Sequence, residues 1–326
     1  SLSIHDLIGS SKQSSDLKSH HVRSRYNQNN GTLASENNFC RITLPKFPNE
    51  YADMNTLFLR FTLETAGPVG RRIDSLNVGS IFNRIVVKNG SNVLMDVHNY
   101  HIWCANEENI FSSKTGESSM DRFLRGHGSA SERDEWSSAP REYMVAIGPR
   151  NSVIRGKHLL PLSSMSDFHI ELFTSNGNDI FYTPSGGDCS FLLSNIETHC
   201  TYLSSSSIRD YFANSPPKFH LTDYSHRFNN VNSRTSLLKL PSSNTSLNTV
   251  FSLIHGARVV GSTDQLTTGI LGTSVAGCQI FVNSTPLYDQ EIDSLEQSFQ
   301  HVDGLFLRFA VQSGSMKSLR DENTYR

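Results

Sequence analysis

Three residues whose side chains can bind zinc are evenly spaced in the first third of the chain. They are His98, His101 and Cys104, at positions i, i+3 and i+6. If this segment is helical, the three lie on one stripe, and imidazole nitrogen and thiolate sulfur are both zinc ligands. A fourth ligand at a fixed spacing is missing from the sequence. We therefore predict a helix face that packs against a sheet and no bound metal, with a zinc site as the alternative.

Two pairs of polar residues bear on whether the chain carries a catalytic site. His199 and Cys200 are adjacent in a predicted strand, so their side chains point to opposite faces and His199 cannot activate the thiol. His169 and Glu171 are two residues apart, so they share a face and can pair. The sequence has no Gly-x-Ser-x-Gly elbow and no phosphate-binding loop. It predicts no catalytic residues, no cofactor and no enzymatic activity.

The composition favours a β protein. Of 326 residues, 37 % are hydrophobic and 18 % are charged, and the abundant Ser, Asn and Thr are typical of strands joined by polar turns. A net charge of −2 gives no general attraction to nucleic acid or to anionic membranes. The sequence contains no run of eighteen apolar residues that would form a membrane-spanning helix.

The cysteines indicate a reducing compartment. Their number is odd and no Cys-x-x-Cys pair occurs, which is typical of reduced thiols in a chain made in a cytosol or nucleus. The five are Cys40, Cys104, Cys189, Cys200 and Cys278.

Alternation of apolar and polar residues predicts strands along most of the first half. Leu57, Leu59, Phe61 and Leu63 alternate with residues of the opposite face. The segment Asn89-Gly90-Ser91-Asn92 between two apolar runs predicts a hairpin. The predicted strands are Cys40–Leu44, Leu57–Leu63, Ile81–Lys88, Val93–Val97, Tyr143–Ile147, Ser152–Leu162, Asp167–Thr174 and Cys189–Leu203.

Helices are few in this pattern. We predict one from Asp96 or His98 to Ile110, a helical turn at Ile208–Ala213 and a long polar loop at 112–142. Short strands at regular spacing with little helix predict an all-β fold of antiparallel sandwiches.

Two landmarks occur twice in the chain, which predicts a duplicated β domain. Met54-Asn55-Thr56-Leu57-Phe58 is matched by Leu247-Asn248-Thr249-Val250-Phe251, and Val86-Val87-Lys88-Asn89 by Ile280-Phe281-Val282-Asn283. The asparagines are 34 residues apart in the first copy and 35 in the second. We predict an arm at 1–37, one sandwich at 38–215 and another at 216–326, divided near Ser215-Pro216-Pro217. The second copy's predicted strands are Ser236–Leu240, Leu247–His255, Gly277–Asn283 and Gly304–Gln312, with a helix at Gln290–Phe299.

The sequence resembles the double jelly-roll major capsid proteins of tailless icosahedral DNA viruses, the adenovirus hexon-like lineage. The resemblance covers most of residues 38–311 and implies two tandem antiparallel jelly rolls with one or two short helices. It is carried by Ile42-Thr43-Leu44-Pro45 with 51–61, by 81–91 leading to Asp96-Val97-His98-Asn99-Tyr100, by Leu159-Leu160-Pro161-Leu162 with 168–172, and by the opening of the second copy.

The resemblance implies a structural role. Three chains would form a pseudo-hexagonal homotrimeric capsomer of an icosahedral shell, with neighbouring capsomers and minor capsid, vertex or membrane-associated viral proteins as partners. It implies the virion capsid as location, assembly in the host cytoplasm or nucleus, and no sequence-specific binding of nucleic acid. Two alternatives stay open: a single jelly-roll capsid protein of a small RNA virus, and a secreted β-sandwich glycan-binding protein.

The two ends of the chain carry separate expectations. Residues 1–37 have four Lys or Arg against three Asp or Glu, so we expect a polar arm that contacts a neighbouring subunit or the particle interior without condensing a genome.

The second copy has about half the strand candidates of the first. We therefore expect its missing strands to come from a continuation past Arg326, from a neighbouring chain or from residues 299–326.

Overall fold

The computed structural model describes residues 16–26, 34–35, 38–73, 77–104, 132, 137–149, 152–183, 186–214, 281–282 and 285–286. Most of the expected second unit at 216–326 and of the expected loop at 112–142 therefore lies outside the described residues. The division into 1–37, 38–215 and 216–326 stays a prediction. The described fold is that of the first half of the chain.

The longest strand forms the centre of the first sheet. β4 (Tyr51–Ala66) turns Leu57, Leu59, Phe61 and Leu63 to the interior, each at most 2 % exposed, because alternate side chains of a strand share a face. One edge of β4 pairs antiparallel with β12 (Ser190–Ser204). The other edge pairs with β8 (Arg141–Val145) and β9 (Leu159–Leu160). Both edges of the central strand are thus occupied.

The N-terminal segment covers the remaining edge of β12. β1 (Lys18–Arg25) pairs antiparallel with Glu197 to Ser204, and β2 (Ala34–Ser35) pairs with Leu192 and Leu193 farther along the same edge. An occupied edge cannot recruit strands from other chains. We expected an arm that contacts a neighbouring subunit or the particle interior, whereas Lys18–Arg25 pair with a strand of their own chain. The apolar pattern gave no signal because an edge strand buries few side chains.

The second sheet has four antiparallel strands in the order β3, β10, β6, β7. The strands are β3 (Phe39–Thr43), β6 (Phe82–Asn89), β7 (Asn92–Val97) and β10 (Phe168–Thr174). Ile42, Ile85 and Ile170 face inward and are fully buried. The two inner faces meet in one apolar core, where Phe61 of β4 packs edge-to-face on Phe82 of β6 with ring centroids 5.9 Å apart.

The chain crosses from sheet to sheet between successive groups of strands. β3 lies in the second sheet, β4 in the first, β6 and β7 in the second, β8 and β9 in the first, β10 in the second and β12 in the first. Two antiparallel sheets packed over a shared core form a sandwich. The predicted all-β antiparallel class is confirmed.

The predicted hairpin is also confirmed. β6 and β7 pair up to Asn89 and Asn92, which leaves Gly90 and Ser91 as a two-residue loop. Gly90 has φ 60°, the glycine position at the start of a II′ turn. Its N–H donates to the Asp167 carbonyl oxygen at 2.9 Å, which fixes the turn against the start of β10.

The predicted helix begins later than the sequence suggests. The hairpin continues to the pairs Val86–Asp96 and Ile85–Val97, so Asp96 belongs to a strand. Residues 98–99 form a turn in which Asn99 has φ 52°, and the helix begins at Tyr100 and is described to residue 104. The predicted end at Ile110 lies outside the described residues.

The prediction of one long strand at Ser152–Leu162 is wrong. Ser152 and Arg155 form an isolated bridge, only Leu159–Leu160 pairs with β4, and a 3₁₀ turn follows at Leu162–Ser164. A ring nitrogen of His158 lies 3.0 Å from the Val153 carbonyl oxygen. That contact closes a compact loop of a kind that apolar periodicity does not reveal.

Short elements complete the described fold. They are β5 (Arg72–Ile73) paired with β11 (Phe181–Tyr182), a 3₁₀ turn at Val78–Ile81, α1 (Gly177–Ile180), α2 (Ser206–Asn214), and β13 (Phe281–Val282) paired with β14 (Thr285–Pro286). The predicted turn at Ile208–Ala213 lies within α2, and β13 lies within the predicted strand Gly277–Asn283. Among the described helices, none has the length and apolarity needed to cross a membrane.

Candidate functional site

The three zinc-type residues do not share one helical stripe. His98 lies in the turn before the helix, with Nε2 3.4 Å from Oδ1 of Asp96. His101 is half-buried on the helix, and Cys104 is fully buried beside Gly79. Within the described ranges, no three His, Cys, Asp or Glu side chains are placed to hold a metal ion. The burial of Cys104 fits the predicted packing of this face.

Two buried thiols are held in their unreactive form. Burial raises the pKa of Cys40 and of Cys200 to about 12, and a protonated thiol is a poor nucleophile. Cys200 belongs to the core, whereas the His199 ring bonds to Glu197 outside it. The predicted opposite orientation of His199 and Cys200 is confirmed.

A buried carboxylate lies on the outer face of the second sheet. The Glu171 side chain, on β10, is only 5 % exposed. Arg41 of β3 donates from Nε to its Oε1 at 3.0 Å, and Lys88 Nζ of β6 lies 2.8 Å from its Oε2. His169 Nε2 is 3.7 Å from Oε1, so the two residues share a face as predicted, at ion-pair distance and without a hydrogen bond between them. Arg41, Lys88, His169 and Glu171 are called the Glu171 cluster.

Strand register explains the Glu171 cluster. Arg41 stands directly opposite Glu171, and Lys88 stands opposite His169, one diagonal step away; such cross-strand neighbours are within reach of long side chains. Burial by itself raises the pKa of Glu171. The hydrogen bonds and positive charges of Lys88 and Arg41 outweigh burial and bring the pKa below its ordinary value.

A second buried carboxylate lies on the outer face of the first sheet. The Glu197 side chain, on β12, is 7 % exposed. Its Oε1 accepts from Arg60 Nη1 of β4 at 3.0 Å and lies 2.8 Å from Nε2 of His199, while its Oε2 accepts from Arg25 Nε of β1 at 3.3 Å. His21 of β1 completes the set, with Nε2 2.8 Å from Nδ1 of His199. These five residues are called the Glu197 cluster.

The electrostatics of Glu197 follow the same balance. Burial by itself raises its pKa, but the hydrogen bond and charge of His199, with those of Arg25 and Arg60, bring the pKa below its ordinary value. Arg60 also pairs with Glu142 of β8. The cluster thus joins β1, β12, β4 and β8, and its groups act on one another across strands, with no catalytic nucleophile among them.

Sequence reasoning identified His199 but missed Glu197, Arg60, Arg25 and His21 as its partners. A signal was present, because Glu197-x-His199 is the reverse of His169-x-Glu171 and puts a carboxylate and an imidazole on one strand face. The arginines could not be found this way, since their position depends on which strands are neighbours.

Exposed apolar side chains lie on the two end strands of the second sheet. Phe39 of β3 is 46 % exposed and stacks on Phe173, with ring centroids 5.6 Å apart. On β7, Val93 and Leu94 are 55 % and 40 % exposed. Apolar residues on an end strand offer a surface against which another protein can pack.

Known proteins match this chain by structure and not by sequence. No family model matches it, and no curated protein matches it. A quasi-atomic structure of the PBCV-1 virus capsid matches with 12 % identity over 61 % of this chain and 45 % of that chain, at a TM-score of 0.42. PBCV-1 VP54, fitted into a reconstruction of the virophage Sputnik, matches with 10 % identity over the same shares at 0.41.

The Faustovirus major capsid protein also matches, with 9 % identity over 61 % of this chain and 56 % of that chain, at a TM-score of 0.33. All three are viral capsid proteins. These solved structures belong to the class that the sequence resembles, the double jelly-roll major capsid proteins. The chain spans about half the length of these solved structures.

Proposed function

We propose that the chain is a viral major capsid protein that builds an icosahedral shell from pseudo-hexagonal homotrimers. The observation that carries the proposal is the antiparallel sandwich whose strands cross from sheet to sheet, in a chain whose sequence resembles that capsid lineage. Shell subunits need a rigid body and defined contacts, and a sandwich with covered edges meets the first need.

Edge protection supports this role. β12 is lined by β1 and β2 on one side and by β4 on the other, and β4 is lined by β8 and β9. Subunits are densely packed in a shell, and open strand edges would let them polymerise in an uncontrolled way. In the first sheet the long central strands are closed to such pairing, so among the described residues only the end strands of the two sheets keep an unpaired edge.

The polar clusters support a structural role without enzymatic activity. The Glu171 and Glu197 clusters consist of carboxylates already neutralised by cations of neighbouring strands. Charges used in this way hold strands together and leave no unpaired acid or base at the centre of either cluster. A catalytic site would instead need groups poised to exchange protons with a substrate.

The apolar end strands are the surface that we assign to contacts between subunits. Val93 and Leu94 on β7 would pack against a neighbouring copy, because burying them removes apolar surface from water. Neighbouring capsomers and minor capsid, vertex or membrane-associated viral proteins are the expected partners, without sequence-specific binding of nucleic acid. The expected location is the virion capsid, assembled in the host cytoplasm or nucleus.

Analytical ultracentrifugation of the full chain, with electron microscopy of the same sample, tests the proposal. Three chains of 36.4 kDa give a particle of about 109 kDa, and a near-hexagonal outline is expected. Monomer alone at every concentration and salt condition would contradict the proposed capsomer. A monomer that binds a glycan array would support the glycan-binding alternative.

Matched variants locate the contact. Val93→Asp and Leu94→Asp are expected to shift the trimer toward monomer, because they place a charge in the apolar contact. Val69→Asp is the control, since Val69 is 93 % exposed on another part of the surface. Trimers unaffected by the β7 changes would exclude β7 from the contact but leave the capsomer itself standing.

A further inference from the structure

A hydrogen-bonded row of three side chains fastens the N-terminal strand to the first sheet. His21 Nε2 of β1 lies 2.8 Å from His199 Nδ1, and His199 Nε2 lies 2.8 Å from Glu197 Oε1. The two histidine rings are 5.0 Å apart between centroids. β1 stands at the end of the sheet, with β12 as its neighbour. The row therefore links an end strand to the sheet through two imidazole rings, the side chain whose ordinary pKa lies nearest to neutral pH.

The hydrogen bonds of this row limit the number of protons that its two histidines can carry. Glu197 as a carboxylate only accepts hydrogen bonds, so His199 Nε2 must carry a hydrogen. In the contact between His21 and His199, one facing nitrogen must donate and the other must accept. The pair can therefore hold one extra proton. A second proton would set two N–H groups and two positive charges against each other.

The surrounding charges favour this limit of one proton. Arg23 neighbours His21 on β1, and Arg25 of β1 and Arg60 of β4 both bind Glu197. Glu142 of β8 lies beyond Arg60 and pairs with it. The carboxylate that touches the histidine pair, Glu197, is thus already shared among two arginines and His199.

We propose that the His21–His199 pair is a pH-sensitive latch: protonation of both rings breaks their hydrogen bond and releases β1 from the edge of β12. The proposal rests on contacts within one chain and does not depend on the proposed capsid function.

The sign of the pH dependence follows from the contacts of His21. The His21 ring is largely exposed, and its partial desolvation, with the charges of His199 and Arg23, brings the pKa of His21 below its ordinary value while β1 is attached. The detached strand then binds the proton more readily than the attached one. Attachment is complete above the ordinary histidine pKa of about 6.5 and weakens as pH falls from there toward the lower pKa of the attached state.

β1 is the element that can leave at low cost. Most of its side chains are exposed, and its contacts with the core come from Val22, from His20 on Tyr202 and from Tyr26 just beyond the strand. Release of β1 would uncover the backbone edge of β12 along Glu197 to Ser204. An open edge of this length accepts a strand from another chain, so acidification would convert a closed sheet into one that can exchange strands.

Hydrogen exchange of the full chain between pH 7.5 and pH 5, corrected for the intrinsic pH dependence of exchange, tests the latch. Amides of Lys18–Arg25 are expected to open about tenfold more often at pH 5 than at pH 7.5. The β6–β7 hairpin serves as the internal reference and should not change. His21→Gln keeps an N–H donor toward His199 but cannot take a proton, so its β1 amides should change less than about twofold.

The matched control is His20→Gln on the same strand. His20 faces the other way, against Phe47 and Tyr202, and lies 3.4 Å from Glu50. Its protonation adds attraction to Glu50, so the variant should keep the acid-induced opening. Opening that persists in His21→Gln, or disappears in His20→Gln, or is absent in the unmodified chain would overturn the proposal.

Discussion

The outer faces of the two sheets each hold one buried glutamate, and they neutralise it differently. In the second sheet, Glu171 lies between Arg41 and Lys88, with His169 at 3.7 Å. In the first sheet, Glu197 shares its charge with Arg25, Arg60 and His199, and His199 in turn contacts His21. Each sheet thus neutralises a carboxylate that is taken out of water. The cluster of the second sheet contains one histidine, and the cluster of the first sheet contains two.

The number of histidines decides how each cluster responds to acid. Protonation of His169 sets a cation near a carboxylate, which is attractive. Protonation of both His21 and His199 sets a cation against a cation, which is repulsive. Similar geometry on the two faces therefore gives one sheet that tolerates acid and another whose end strand is released.

The largest expected effect comes from the apolar core that lies between the two sheets. Phe61 is fully buried and packs on Phe82 of the second sheet and on Tyr143 of the first. Phe61→Ala is expected to lower the free energy of unfolding by about 3–5 kcal/mol, because it removes an aromatic ring and leaves a cavity. Urea unfolding measures it.

The control for this change is Phe39→Ala. Phe39 is 46 % exposed at the end of the second sheet, so its loss should cost less than about 1 kcal/mol. Equal losses for the two variants would mean that the sheets do not pack face to face through Phe61.

The next effect compares the two glutamates directly. Glu171→Gln and Glu197→Gln should each lower the free energy of unfolding at pH 7.5 by about 1.5–3 kcal/mol, because each removes a nearly buried anion that holds several donors. Partial exposure of Arg41 and Arg25 keeps the loss below that of a fully buried pair. Urea titration of the two variants measures both.

The loss of unfolding free energy should depend on pH differently in the two variants. Both glutamates have a folded pKa below the ordinary value, so their contribution is present above about pH 4.3 and is lost only below it. Between pH 7.5 and 5 the loss in Glu171→Gln should change little, because His169 is 3.7 Å from Glu171, beyond hydrogen-bond distance. The loss in Glu197→Gln should grow as the pH falls over that range, since its removal leaves His21 and His199 without a carboxylate. Equal pH profiles would refute the distinction drawn between the faces.

The sequence predicted the strands better than the sites. β4, β10 and β12 were found because alternate apolar residues face a core, and the hairpin was found because Asn-Gly favours a tight turn. β1 was missed because an end strand of polar residues has no apolar period. The Glu197 cluster was missed because its members come from β1, β4 and β12, and no local pattern says which strands become neighbours.

A smaller effect is expected at the turn between β6 and β7, which follows Lys88 of the Glu171 cluster. Gly90 has φ 60°, and a Cβ there would lie 3.1 Å from Cβ of Ser166. Gly90→Ala should cost about 1–2 kcal/mol through backbone strain and crowding. Thermal unfolding measures it, and hydrogen exchange should show the loss in β6 and β7 and not in β1. Ser91→Ala is the control and should cost less than about 0.5 kcal/mol.

The smallest effect is expected at the exposed end of the Glu197 cluster. Arg60 pairs both with the buried Glu197 and with Glu142, whose side chain is 52 % exposed. Water already solvates Glu142, so Glu142→Gln should change the free energy of unfolding by less than about 0.5 kcal/mol. High salt should erase even that difference, because exposed ion pairs are screened. The same salt should leave most of the loss in Glu197→Gln, since its partners meet a carboxylate that is 7 % exposed. If urea titration gives Glu142→Gln a loss as large as that of Glu197→Gln, Arg60 is held mainly from β8, and the link from β4 to the histidine pair is weaker than its geometry indicates.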